Sequence, residues 1–354
     1  MDEKGKLTIY DIAKMAGVST TTVSRAMNGT GYVSKEKKEK VLKVIEEYEF
    51  KPNAFAKGLT TRRSGTIGML VPDVINPFFA TMFTMLEREA LDHDYNVILC
   101  NYYNDNESAG KQIALLEQKQ VDVLLQVGGP TDLYDIPVDY LEILEKAGKN
   151  TPIITNGNSV GGKFIAVQVD DDEALKNLLA DAYEKGHRRF AIVGGDGRYI
   201  PTGKKWQQFD KVLKELGISK ENRKILEYDN FDSYGGGKCV ELLMEEYGRD
   251  IPSFIIGINE SVAIGVQKEL VKNGFLIPKD ISVAGFDNTY LSEIVTPSLT
   301  SIGCDYREYA KAVMNIIAQL TEKKSGYTGE REVRVVSHLV KRESSSYCSD
   351  RNAH

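Results

Sequence analysis

From residue 65 onward the chain alternates strand-length apolar runs with amphipathic stretches, and no other feature restricts its fold as strongly. The runs cover 65–72, 95–100, 121–127, 152–155, 164–169, 190–194, 254–258 and 281–286. Between them lie segments of helical periodicity, among them 78–93, 172–185, 204–216, 233–247 and 261–273. Apolar runs of this kind suit strands covered on both faces, an environment supplied by crossover helices packed on either side of a parallel sheet. The body is therefore expected to be α/β and doubly wound. About 280 residues is large for one such sheet. Two are expected, with a cleft where the carboxyl ends of their strands point.

The first 63 residues follow another rhythm. They hold 13 Lys and Arg against 8 Asp and Glu, whereas the remainder holds 32 against 43. A small basic end on an acidic body points to a polyanion contact at that end, because phosphate neutralisation supplies most of nonspecific nucleic-acid affinity. Thr8-Ile9-Tyr10-Asp11 sets a hydroxyl three residues ahead of a carboxylate, a capping-box variant that starts a helix through Ile12, Ala13 and Met15. Gly17 ends it. Ser19 is a second N-cap, and 20–27 forms a short helix whose Val23 returns to the core beside Ala13 and Val18. Ser34 is expected to cap a third helix, 35–48, with Val41, Leu42, Ile45 and Tyr48 as its buried stripe. The predicted unit is an all-α helix-turn-helix headpiece. Its second helix exposes Thr20, Thr21, Thr22, Ser24 and Arg25 and no acid. Hydroxyls there can meet phosphates or base edges, a threonine methyl can touch a thymine methyl, and arginine can fork onto guanine.

Leu7-Thr8-Ile9-Tyr10-Asp11-Ile12-Ala13, followed by Ala16-Gly17-Val18-Ser19-Thr20-Thr21-Thr22-Val23-Ser24-Arg25-Ala26-Met27-Asn28, resembles the signature of the lac/galactose repressor family of bacterial transcriptional regulators. Pro52-Asn53-Ala54-Phe55-Ala56-Lys57-Gly58-Leu59 resembles that family's hinge helix. The resemblance implies that Thr8, Tyr10, Ser19, Thr20, Thr21, Thr22, Ser24, Arg25 and Asn28 contact a double-stranded DNA operator, joined by Asn53, Ala56 and Leu59 of the hinge. In the family the hinge folds on specific DNA in the minor groove and wedges one leucine per subunit into the central base step; Leu59 takes that place. Pro52 suits a helix start, Gly58 keeps the short helix marginal, and an exposed leucine otherwise lacks a rationale.

The resemblance extends through the body. Ile67-Gly68-Met69-Leu70-Val71-Pro72-Asp73, Asn76-Pro77-Phe78-Phe79, Gly186-His187-Arg188-Arg189, Asn259-Glu260-Ser261-Val262-Ala263-Ile264-Gly265 and Gly285-Phe286-Asp287-Asn288 are similar to family landmarks. They imply a periplasmic-binding-protein-like effector domain of two doubly wound parallel-sheet subdomains linked by three crossovers. The expected division is headpiece 1–50, hinge and linker 51–63, effector and dimerisation domain 64–342, and a polar tail 343–354. Within the effector domain, the N-subdomain covers about 64–165 and 297–325, and the C-subdomain about 166–296 and 326–342. By the same resemblance, Phe78 and Phe79 form one wall of the ligand site, Phe231 the opposite wall, and Asn259 and Asp287 bond the paired hydroxyls of a sugar or sugar derivative. The chain departs from the family pattern twice. Lys205-Trp206-Gln207-Gln208-Phe209 stands where the family has Arg-x-x-Gly-Phe, which keeps the charge but loses the fork. Asn156-Gly157-Asn158 replaces a common acid after the fourth strand. A charged or strongly polar ligand group, such as phosphate or carboxylate, is expected beside Lys205.

Other chemistries fit poorly. Gly157-Asn158-Ser159-Val160-Gly161 matches the G-x-S-x-G of an esterase, with Asp287 and His338 in triad order, but a nucleophile elbow needs a helix directly after the serine. Here Gly161-Gly162 and the β-branched run at 164–169 follow instead. Gly194-Gly195-Asp196-Gly197 and Gly235-Gly236-Gly237-Lys238 lack the registers of nucleotide-binding loops, and Asp170-Asp171-Asp172 reads as helix capping. The four histidines, His93, His187, His338 and His354, and the four cysteines are scattered, so no metal and no cofactor is expected. A charged N-terminus and the lack of a long apolar run favour a cytoplasmic chain. A catabolite-control regulator worked by a phosphoprotein partner is the alternative. Val295-Thr296-Pro297 and Met314-Asn315-Ile316 lack the arginines those relatives carry there. A tail without a leucine heptad argues against a tetramerising coiled coil, and a homodimer is expected because one hinge leucine alone cannot form the paired wedge that the resemblance implies.

Overall fold

Thr8 opens the first helix through its partnership with Asp11. Its amide and hydroxyl both donate to Asp11 Oδ2, at 2.8 and 2.6 Å, and α1 (Ile9–Ala16) runs to Gly17, whose φ of +64° stops it. The Ser19 hydroxyl accepts from Thr22 N at 3.1 Å and starts α2 (Thr20–Asn28). Ile12, Ala13, Ala16, Val23 and Ala26 close against Val41 of α3 (Lys35–Glu47). Two details depart from expectation. Ser34 occupies the N-cap of α3 without a side-chain capping bond. Leu42 and Tyr48 are 44% and 47% exposed, and the stripe is Val41, Val44 and Ile45. Leu42 lies about 100° around the helix from Val41, and Tyr48 falls after the last helical residue.

This computed structural model describes residues 7–28, 31–48, 50, 63–322 and 327–348, and the chain divides into two units between Ser64 and Gly65. The hinge with Pro52, Asn53, Ala56, Gly58 and Leu59, the side chain of Asn28, Ser325 and residues 349–354 lie outside the described residues.

The body begins β1 (Thr66–Val71), α4 (Pro77–Asp92), β2 (Asn96–Asn101), α5 (Asn106–Gln118), β3 (Val123–Val127), α6 (Val138–Gly148), β4 (Ile153–Asn156) and β5 (Ile165–Asp170). These strands form a parallel sheet in the order β2-β1-β3-β4-β5. There follow α7 (Asp172–Glu184), β6 (Phe190–Val193), α8 (Ile200–Glu215), β7 (Arg223–Leu226), α9 (Ser233–Tyr247), β8 (Phe254–Gly257), α10 (Glu260–Lys272), β9 (Ser282–Phe286), α11 (Leu291–Ile294) and β10 (Thr300–Cys304). They build a second parallel sheet, β10-β9-β8-β6-β7. The chain then returns through α12 (Tyr306–Glu322) to β11 (Glu332–Val340). Helices α4 and α12 cover one face of the first sheet, α5 and α6 the other, and α7 to α10 enclose the second. No helix among the described residues is long and apolar enough to cross a membrane.

The strand β11 belongs to both sheets. Residues 332–336 run parallel to β5, and 337–340 run antiparallel to β10. The crossings therefore differ from those expected at 166 and 297. β5 pairs with β4 and β10 with β9, so the chain changes sheet after Asp170 and again after Cys304; the third change, expected near Ser325, falls within β11 between Val336 and Ser337, because 332–336 still pair with β5. The polar segment after 342 is also no tail as far as Cys348. Ser344 is fully buried, donating to Val283 O at 2.6 Å and accepting from Thr300 N at 2.8 Å. Serine hydroxyls that satisfy sheet backbone read as a solvated tail because their partners are distant in sequence.

In the glycine run at 235–237, Gly235 and Gly236 serve packing. A Cβ on Gly236 would lie 2.0 Å from Val262 O, and one on Gly265 2.0 Å from Ser233 O, so α9 and α10 touch backbone to backbone. Gly265→Ala is expected to cost about 1–3 kcal/mol of body stability, read as a lower urea midpoint on Trp206 fluorescence. An unchanged midpoint would show that the two helices separate freely.

Candidate functional site

Two surfaces carry the expected site residues, one in each unit. In the headpiece Tyr10, Thr21 and Arg25 are exposed, whereas Thr20, Thr22 and Ser24 are half-buried. Thr8, Ser19 and Thr22 also hold the helix starts: Thr8 bonds Asp11, and the hydroxyls of Ser19 and Thr22 are 2.9 Å apart. Among the described residues, α2 thus presents a basic and hydroxylic surface with no carboxylate of its own.

In the body, Phe78, Phe79, Lys205, Phe231, Asn259 and Asp287 all line one cleft of about 570 Å³ at the carboxyl ends of the strands. Asn76 caps α4 by accepting from Phe78 N at 3.0 Å, which turns the aromatic pair into the cleft. The two rings meet edge to face at 5.2 Å, and Phe78 also meets Tyr306 at 6.2 Å. Phe231 stacks edge-on to Tyr199 at 5.7 Å. Asn259 caps α10: its Oδ1 accepts from Val262 N and its Nδ2 donates to Phe231 O, both at 2.8 Å. That leaves one amide hydrogen and one lone pair for anything else.

Asp287 follows β9 with a φ of +89°, and its carbonyl accepts from Tyr306 Oη at 2.6 Å. The buried Glu260 accepts from the Thr289 amide and hydroxyl and so holds this loop. Burial pushes the Asp287 carboxyl up to about 6, with Lys205 opposing the rise and Asp171 adding to it. Burial also lifts Glu260 to about 7, against its bond from Thr289.

Lys205 is less available than its sequence position implies. Its ammonium lies 3.6 Å from Asp171 Oδ2, donates to Ile258 O at 3.3 Å and sits 4.0 Å over the Phe286 ring. Asp171, expected to cap α7, makes no capping bond. It accepts instead from Ser337 Oγ of β11 at 2.6 Å. The pair Asp171–Lys205 therefore ties the strand shared by both sheets to α8.

The cleft holds residues that sequence reasoning missed, chiefly Asp132, Asp171 and Tyr199. The rule that ligand-facing loops follow the carboxyl ends of parallel strands would have drawn attention to 128–132 after β3 and 170–171 after β5. At one rim the two halves touch: Tyr134 N donates to Arg198 O at 3.0 Å, and Leu133 forms a bridge with Tyr199. Ser159 is not paired with histidine; its hydroxyl donates to Glu332 at 2.7 Å. Despite the acidic lining, no group of three or more His, Cys, Asp or Glu among the described residues is arranged to hold a metal.

A family model described as bacterial regulatory proteins, lacI family, matches residues 8–53, and one described as periplasmic binding protein-like domain matches 180–345. Catabolite control protein A of Priestia megaterium is 31% identical over 324 residues, 90% of this chain and 94% of that protein. The HTH-type transcriptional repressor PurR of Vibrio vulnificus strain CMCP6 is 31% identical over 319 residues, 90% of this chain and 92% of its own length. The fold is similar to that of the lac repressor dimer bound to operator and the anti-inducer ONPF. The TM-score is 0.82 at 22% identity, over 97% of this chain and 100% of that one.

Proposed function

The chain belongs to the lacI family of bacterial regulatory proteins, and on that premise we propose that it is a repressor that binds a palindromic operator as a homodimer and responds to a sugar or sugar derivative. Family members are DNA-binding transcriptional regulators with an effector-binding domain, not enzymes. The observation that carries the ligand reading is the meeting of Phe78, Phe79, Phe231, Asn259 and Asp287 in one cleft. Aromatic faces take the apolar faces of a sugar ring, and the polar side chains between them fix its hydroxyls. The proposed site of action is the cytoplasm. Control follows from differential binding: a ligand that favours the closed cleft rotates the N-terminal halves of two protomers, changes the separation of Leu59 and its mate, and alters the pairing of the hinges on DNA.

Control by a phosphoprotein partner draws support from the likeness to catabolite control protein A. Against it, Met314 and Ile316 are buried in the core against the first sheet, which leaves only Asn315 of that trio for a partner.

Binding to an operator selected from random DNA tests the DNA half of the proposal. Arg25→Ala is expected to weaken it by about 1–3 kcal/mol, whereas Lys38→Ala on the solvated face of α3 changes it little. Equal losses would mean that Arg25 acts only through its charge. A thermal-shift screen tests the ligand half, since a ligand at 100 times its Kd adds about 2.7 kcal/mol of stability.

A further inference from the structure

The charged side chains lining the cleft are Asp73, Asp132, Asp171, Asp229, Asp232 and Asp287, against Lys205. Several already have work inside the fold. Asp73 accepts from Ile75 N at 3.0 Å, Asp232 caps α9 through Gly235 N at 3.0 Å, and Asp171 holds Ser337 and Lys205. With its ammonium held by Asp171 and Ile258 O, Lys205 offers an incoming anion little, and such an anion would meet a large excess of carboxylates.

Asp132 differs from the others. It is 6% exposed, and among the described residues its Oδ1 has no hydrogen-bond partner. Among the described residues, the buried Thr131 Oγ1 and Asn156 Oδ1 find no hydrogen-bond partner either. Beneath them the polar groups are closed on one another: Tyr140 Oη donates to Gln126 Oε1 at 2.7 Å, and Gln126 Nε2 donates to Gly128 O at 2.8 Å. Gly157 has a φ of +99°, and a Cβ there would sit 2.8 Å from Asp132 Oδ1, so a side chain is kept out of this spot. The charged and titratable groups around Asp132 are Lys204, Tyr102, Tyr140, Tyr199 and Tyr309, and burial pushes its carboxyl up to about 7. A buried acceptor without a donor is costly, and a ligand that supplies the donor recovers that cost on binding.

Resting on the reading that this cleft takes the effector, we propose that it selects a polyhydroxylated ligand that is neutral or bears an ammonium group. The cleft rejects phosphates and carboxylates, and Asp132 is the anchor for the ligand's donors. The signal lies outside the aromatic walls and the Lys205 position, and it replaces the anionic group expected beside that lysine.

The test is calorimetric titration of the full chain with ring-matched sets of neutral hexoses and disaccharides, hexosamines, hexose 6-phosphates and hexuronates. A neutral or amino member is expected to bind, with its phosphate and uronate counterparts at least tenfold weaker. Asp132→Asn is expected to weaken that member about tenfold or more and to abolish any advantage of the amino over the neutral sugar. A role in packing alone would leave that selectivity in place. Tightest binding by a phosphate or uronate overturns the inference and leaves the regulatory reading standing. Unchanged affinity and selectivity in Asp132→Asn overturns the anchor. Silence of the whole panel, with operator binding intact, overturns the sugar-effector reading and the inference with it.

Discussion

Raising the salt concentration from 50 to 200 mM is expected to lower operator affinity by roughly 10³–10⁵-fold, the loss that accompanies six to ten phosphate contacts. The basis is the charge division of the chain. The 13 basic residues of 1–63 face 8 acids, while the rest of the chain carries 43 acids against 32 bases and repels a polyanion. Attraction is therefore expected to come from the basic residues of 1–63, and counterion release there makes it steeply salt-dependent. Fluorescence anisotropy of a labelled operator across this salt range measures the slope. A flat titration would remove phosphate neutralisation from the account and return the basic residues to the role of a solvated helical face.

Asp132→Asn is expected to stabilise the ligand-free body by about 2–4 kcal/mol at pH 8 while changing it little near pH 4. In the unfolded chain this carboxyl titrates near 3.8, and in the fold burial raises it to about 7. Between those values the folded form retains a proton that the unfolded form has lost. Stability therefore falls as pH rises from about 4 to about 7 and is flat beyond either end. The asparagine is isosteric and has no such titration. Asp287 and Glu260, raised to about 6 and about 7, impose slopes of the same sign that persist in the variant, so the quantity to read is the difference between two curves. Urea unfolding at several pH values, followed on Trp206, supplies both. Parallel curves would mean that the carboxyl finds a donor or solvent in the folded chain and is no ligand-seeking acceptor.

Much of the molecule was legible without a structure because its signals are local. Thr8 and Asp11 lie three residues apart and cap α1 as expected, Gly17 stops the helix in the left-handed region, and the apolar runs became parallel strands, buried in the sheet interiors and half-buried along edge strand β2. The strands that escaped notice lack a continuous apolar run. Edge strand β7 opens with Arg223-Lys224, β10 is fully buried but carries Thr, Ser and Gly among its five residues, and β11 alternates partly because only one of its faces packs on the core. The aromatic walls and Asp287 were recognisable from motifs beside strand ends, and they do line one cleft. What the sequence by itself determined, then, is the helix-turn-helix, the doubly wound body, its charge division and the loops that border the cleft. Only the tertiary structure decided the electrostatic character of that cleft. Asp171 faces Ser337, 166 residues away, and Lys205 is neutralised by it. Asp132 lies on a loop that meets the 198–199 segment at the rim. A carboxylate's identity can be read from one residue, but its burial, its partners and its proton depend on groups brought together from distant parts of the chain.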